Sequence, residues 1–198
     1  MVESLRRPRE RVWIALADLF LDTDVRIWYV TTVRTISKSP FSLEELKYIL
    51  DREVTPALQG NLLDIAGEWA GFDDDWVVKA VALAAADPDP VRSLVDLDHH
   101  WSALAHLITI ARATQEDSRA DRFAAWNALF PLFLDKKPQF ESMKPPPNYT
   151  KEQLRFCFNS DLKSALIPYV RELAERTPVM YPTEAEVEAN WNMFYDGL

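Results

Sequence analysis

Four glycines in 198 residues, Gly60, Gly67, Gly71 and Gly197, limit the folds open to this chain more than any other feature. Tight hairpins lean on glycine for positive-φ turn positions, and apolar/polar alternation bounded by such turns is absent. Strands therefore have few places to begin or end, whereas the 3.6-residue period of amphipathic helices recurs along the chain. An all-α protein is expected.

The helices can be placed. Trp13, Leu16, Ala17, Phe20 and Leu21 recur at helical spacing behind Pro8, which predicts a helix over about 8–22. A second covers about 24–37, although Val25, Ile27, Tyr29, Val30 and Val33 also suit a strand. Ser42 with Glu45 forms a capping-box pattern opening a helix that Pro56 limits. Leu62, Leu63, Ile65, Ala66 and Trp69 make the next apolar segment, closed by Gly71, and Asp73, Asp74 and Asp75 precede the helix that starts near Trp76. ADPDP at 86–90 is the best linker, followed by a long helix with Leu94, Leu97, Trp101, Leu104, Ile108 and Ala111 on one face. The proline-rich stretch 136–148 excludes regular helix, Thr150 starts another, and Thr183 with Glu186 caps a last one that shows Val187, Trp191 and Phe194 on one face.

RRPRERVWIALADLFLD, residues 6–22, is echoed by RADRFAAWNALFPLFLD, residues 119–135. Nine of seventeen positions agree, among them Arg9/Arg122, Trp13/Trp126 and Asp22/Asp135, where ordinary residue usage would supply about one. SLEELKYIL at 42–50 then lies over TKEQLRFCF at 150–158, the offset changing from 113 to 108. The expected architecture is a helical bundle of two unequal halves, 1–88 and 91–198, packed as one compact unit and related by a degenerate duplication. Amphipathic helices also resemble one another for physical reasons, so coincidence of patterning stays open. Cys157 falls over Ile49 between two phenylalanines and reads as a buried structural thiol.

Net charge is −9. Such a field disfavours nucleic acid and anionic membrane as partners and favours basic proteins. The charged first residues do not resemble a secretory signal, no apolar run approaches the ~20 residues of a membrane span, and one cysteine suits a reducing compartment, so a cytoplasmic location is expected.

Chemistry is harder to find. DLDHHWSALAH, residues 96–106, holds all three histidines, but one helix supplies only a partial metal shell, so solvated or capping histidines are expected and no metal. There is no G-x-S-x-G elbow, and four scattered glycines allow neither a phosphate-binding loop nor a dinucleotide fingerprint, so no cofactor is expected. An unrecognised carboxylate site of a hydrolase or nuclease, with Asp22 and Asp135 as markers, is the alternative to a protein that is no enzyme.

ALADLFLDT, SPFSLEELKYILDREVTPAL and NLLDIAGEWAGFDDDW, in that order over about 10–80, resemble an uncharacterised bacterial family of small acidic helical proteins, similar in character to immunity proteins of toxin systems. The resemblance implies no catalytic residues. It suggests a protein that neutralises a cognate toxin by covering its basic active site, with self-association as a further option. Partner-binding residues are expected among Asp73, Asp74, Asp75, Trp76, Asp87, Asp89, Asp96 and Asp98, each of which could equally cap a helix or solubilise the surface.

Overall fold

The computed structural model describes residues 7–64, 67–68, 70–87, 93–140, 143–176 and 181–198. Among these the regular structure is helical throughout and no strand occurs. The protein is an all-α bundle whose chain divides into two compact units, Met1–Trp101 and Ser102–Leu198. No helix among the described residues is long and apolar enough to cross a membrane.

In the first unit, α1 (Pro8–Ala17) starts on a proline whose missing N–H costs nothing in a first turn, and it buries Val12, Trp13, Leu16 and Ala17. It tightens into a 3-10 turn, Asp18–Phe20, so the predicted helix is divided. Asp24 accepts a hydrogen bond from the Arg26 amide and opens a 3-10 segment, Val25–Trp28, that runs into α2 (Tyr29–Ile36). Tyr29, Val30, Val33 and Ile36 are buried at helical spacing, so burial of one face overrides the β-branched composition. The capping box at Ser42 opens α3 (Leu43–Ile49): the Ser42 amide donates to Glu45 at 2.7 Å and the Glu45 amide to the Ser42 hydroxyl at 3.2 Å.

Pro56 does not end that helix as expected. A π segment, Leu50–Val54, joins α3 directly to α4 (Thr55–Leu63), with the proline in the first turn of α4. Proline has no N–H to donate, and a widened turn just before it relieves the clash its ring would make in a continuous helix. The segment Ile65, Ala66, Trp69 lies outside the described residues. Asp73 caps α5 (Asp74–Ala85), which packs with α1, α4 and the π segment around the core.

α6 (Asp98–Ala113) carries the division between the units. Its start is later than its apolar pattern suggests: the Asp96 carboxylate accepts from the Asp98 amide at 3.0 Å, and Leu94 is left exposed before the helix instead of on its face. In the second unit α7 (Glu116–Leu129) buries Phe123, Ala125, Trp126 and Leu129, and α8 (Pro131–Leu134) adds Leu132 and Phe133. Thr150 and Gln153 form a capping box on α9 (Lys151–Phe156), which again passes through a π segment, Cys157–Lys163, into α10 (Ser164–Arg176). The Thr183/Glu186 box opens α11 (Glu184–Asp196), whose Trp191 stacks on Phe158 at 4.3 Å between ring centroids.

Candidate functional site

The echo extends from sequence to geometry. In the first unit Arg9 reaches the Glu53 carboxylate through both Nε, at 2.9 Å, and a terminal nitrogen, and the Trp13 indole donates to the same group at 2.7 Å. In the second, the Trp126 indole donates to Asp161 at 2.9 Å and Arg122 stands 3.4 Å from it. Glu53 is 5% exposed and Asp161 2%. Both carboxylates sit in the π segments. A π turn holds one residue more than an α turn, which rotates the following side chains by about 100° and aims them at the helix carrying Arg and Trp. Neither acid stands out in the sequence, yet the offset of 108 that aligns 42–50 with 150–158 also lays Glu53 over Asp161.

Burial pushes the Asp161 carboxyl up, against the pull of the Trp126 indole and the Arg122 charge. Cys157 is buried as expected, and its surroundings are not purely apolar: it hydrogen-bonds with Asp161 and Tyr149, and burial drives its thiol up to about 12. It is an inert thiol at neutral pH.

The acids expected to face a partner are scattered over several roles. Asp73 is the N-cap of α5 and accepts from the Trp76 amide at 2.8 Å. Asp74 and Asp75 are exposed in its first turn. Trp76 is 49% exposed and stacks on Phe72 at 5.6 Å between centroids. One helical face continues from it through Lys79 and Leu83, the latter 77% exposed, to Ala86, with exposed Asp87 just beyond. Trp76 and Leu83 thus stand two turns apart on the solvent side, while Val77 and Val81 hold the opposite side in the core. Asp96 accepts from the Asp98 amide just before α6, and Asp98 pairs with Lys47 at 3.1 Å, a lysine that also holds Asp51 at 2.7 Å. Asp89 lies outside the described residues.

The histidines do not behave alike. His99 and His106 are exposed, but His100, expected in solvent or at a cap, is mostly buried and its Nδ1 lies 2.6 Å from the Tyr29 hydroxyl. Burial lowers it to about 4, so the ring is neutral and packs edge-on to Tyr29. Among the described residues no three potential ligands gather into a metal site. Asp22 and Asp135 are exposed ends of the echoed segments; Asp22 contributes its amide to a bond with the Glu68 carbonyl, and Asp135 its carbonyl to Asn190.

A further perturbed carboxylate is one that the sequence does not mark. Asp18 lines a cavity of about 300 Å³ with Arg11, Thr31, Thr35 and Asp74. Burial, reinforced by the charge of Asp74, raises it to about 6, and it makes no ion pair among the described residues. Its signal in the sequence is weak, since an aspartate inside an apolar helical stretch reads as a solvated position.

The fold and these sites define an all-α acidic protein with two buried carboxylates, each met by an arginine and a tryptophan, and an exposed apolar helix face. The chain belongs to the family of a domain of unknown function, DUF7079, which matches residues 7–110, just over half of its length. The matched stretch holds α1 to α5 and the Arg9–Trp13–Glu53 cluster, while Arg122, Trp126 and Asp161 lie outside it. No curated protein and no solved structure matches the chain.

Proposed function

We propose that this protein works by binding rather than by turnover, as an immunity-type protein that holds a cognate bacterial toxin and covers its basic active site. The observation that carries the reading is the face of α5: a half-exposed tryptophan and a leucine stand two turns apart, with Asp73, Asp74 and Asp75 at one end and Asp87 at the other. Large apolar side chains anchor protein interfaces, and surrounding acids steer a basic partner and reject an acidic one. The net charge of −9 acts in the same direction.

The test is growth rescue. Co-expression with the toxin-like product of a neighbouring reading frame should restore growth, and the purified pair should form a stoichiometric complex. Trp76→Ala with Leu83→Ala should weaken that complex by about 100-fold, two anchor residues at roughly 1–2 kcal/mol each, without lowering the melting temperature. Absence of rescue by the parent protein, or undiminished rescue by the double variant, overturns the proposal.

A second reading rests on Asp18. A carboxyl raised to about 6, near Asp74 in a threonine-lined cavity, is the environment that tunes a general acid. A hydrolase or nuclease of this type would lose turnover in Asp18→Asn while keeping its fold.

A further inference from the structure

The two Arg–Trp–carboxylate clusters share a plan and differ in bulk. At the offset of 108, Asp161 stands over Glu53 and Ser160 over Arg52, so at two adjacent positions the second unit carries the shorter side chain. The consequence for the arginine is direct. Arg9 spends both Nε and a terminal nitrogen on Glu53, whereas Arg122 approaches Asp161 only at 3.4 Å and makes no hydrogen bond among the described residues. The donors of its guanidinium are left for something else.

In front of Arg122 runs a groove of about 510 Å³, entirely within the second unit. Its walls include the imidazole of His106 and the hydroxyls of Ser118 and Ser160, none of which makes a side-chain hydrogen bond among the described residues. The Arg122 guanidinium lies 5.9 Å from the ring centroid of Phe156, an aromatic that is nevertheless 55% exposed. The acid in the groove, Asp161, is engaged by the Trp126 indole and the Cys157 thiol. What faces the opening is thus a set of donors beside an uncovered aromatic ring.

We propose that this groove binds a small ligand with a carboxylate on a flat apolar body. The carboxylate is held by Arg122 with Ser118 and Ser160, and the body lies along Phe156. An arginine can bridge two carboxylates, because its five N–H groups serve both edges of the plane, so Asp161 orients the guanidinium without consuming it. In a chain of net charge −9, a groove whose single carboxylate is paired with Arg122 is locally close to neutral rather than negative. It admits a compact anion where an extended polyanion would be repelled. The first unit lacks the means: Glu53 takes up Arg9, and the counterpart of Ser160 at the offset of 108 is the bulky, cationic Arg52.

Sodium benzoate is a suitable probe, titrated into the full-length protein at constant ionic strength and followed by backbone amide and Trp126 indole NMR shifts. Saturable binding near the millimolar range is expected, on the order of what nine heavy atoms in an open groove can supply. Benzyl alcohol and benzamidine, matched in shape but neutral or cationic, should bind at least about tenfold more weakly, since neither can accept a charge-assisted bond from arginine. Ser160→Arg, which restores the residue carried by the first unit, should abolish benzoate binding with an unchanged melting temperature. Arg122→Gln should abolish it too, and any loss of stability in that variant leaves the Ser160→Arg result standing. Equal binding of either comparator, parent-like binding by Ser160→Arg, or no saturation at tens of millimolar would each refute the proposal.

Discussion

Asp18 and His100 set opposite demands on the pH at which the first unit is most stable. Asp18 is raised by burial and by Asp74 from 3.8 to about 6, with Arg11 as the nearby base in its cavity. A raised acid favours the folded state below its unfolded value, and that contribution is lost as pH rises between 3.8 and 6. Asp18→Asn should therefore raise the melting temperature at pH 7.5 by a few degrees, about 1 kcal/mol once partial exposure is discounted, and change it little at pH 4. His100 runs the other way. Burial lowers it from 6.5 to about 4 against the pull of Asp24 and Asp96 and with the push of Arg26 and His99, so its contribution is complete above 6.5 and lost as pH falls toward 4. His100→Gln should flatten the part of the stability profile between those values. Thermal melts across pH 4 to 8 check both, and a parent-like profile in either variant contradicts the assignment.

Among elements, the π segments matter most, because each delivers one buried carboxylate to an arginine and a tryptophan on another helix. Removing the acid leaves the Trp13 indole N–H without its acceptor and returns the half-exposed Arg9 to water, at a cost of about 3 kcal/mol for Glu53→Ala. Asp161→Ala should cost less, about 2 kcal/mol, since it forfeits the Trp126 indole bond and a 3.4 Å ion pair, whereas Glu53 also holds two arginine hydrogen bonds. Urea unfolding at pH 7 measures the pair; equal costs below about 1 kcal/mol would mean that the carboxylates are not keystones. Half of this arrangement was legible in the sequence. The Arg and Trp of both clusters stand out in the 6–22 and 119–135 echo, and the capping boxes at Ser42 and Thr183 are local patterns that folded as written. The acids escaped because they lie 40 and 35 residues from their tryptophans and differ in type, so neither periodicity nor identity marks them. Pro56 misled for a related reason: proline forbids an α-helical hydrogen bond, and a π turn removes the need for one. His100 misled because two adjacent histidines look alike in sequence, and only the approach of Tyr29 separates them.

For the molecule as a whole, the distribution of acids was less legible than their number. A charge of −9 predicts a field, but local geometry decides which carboxylates are spent: Asp73 on a helix cap, Asp96 on the Asp98 amide, Asp98 on Lys47. The field and the apolar face of α5 should consequently separate in the kinetics of partner binding. Steering acts through solvent and is screened over about 10 Å at 0.1 M salt, whereas packed side chains hold the complex whatever the ionic strength. Raising salt from about 0.05 to 0.5 M should slow association with the toxin-like partner about tenfold and change dissociation far less. Asparagine at 73, 74 and 75 keeps the cap on α5 while removing three charges, so it should flatten that salt dependence at nearly constant dissociation rate. Trp76→Ala with Leu83→Ala should do the reverse, accelerating dissociation with the salt slope intact. Stopped-flow measurements on the two variants decide it: if both alter the same rate constant in the same way, charge and anchor are not the separate devices that the face of α5 requires.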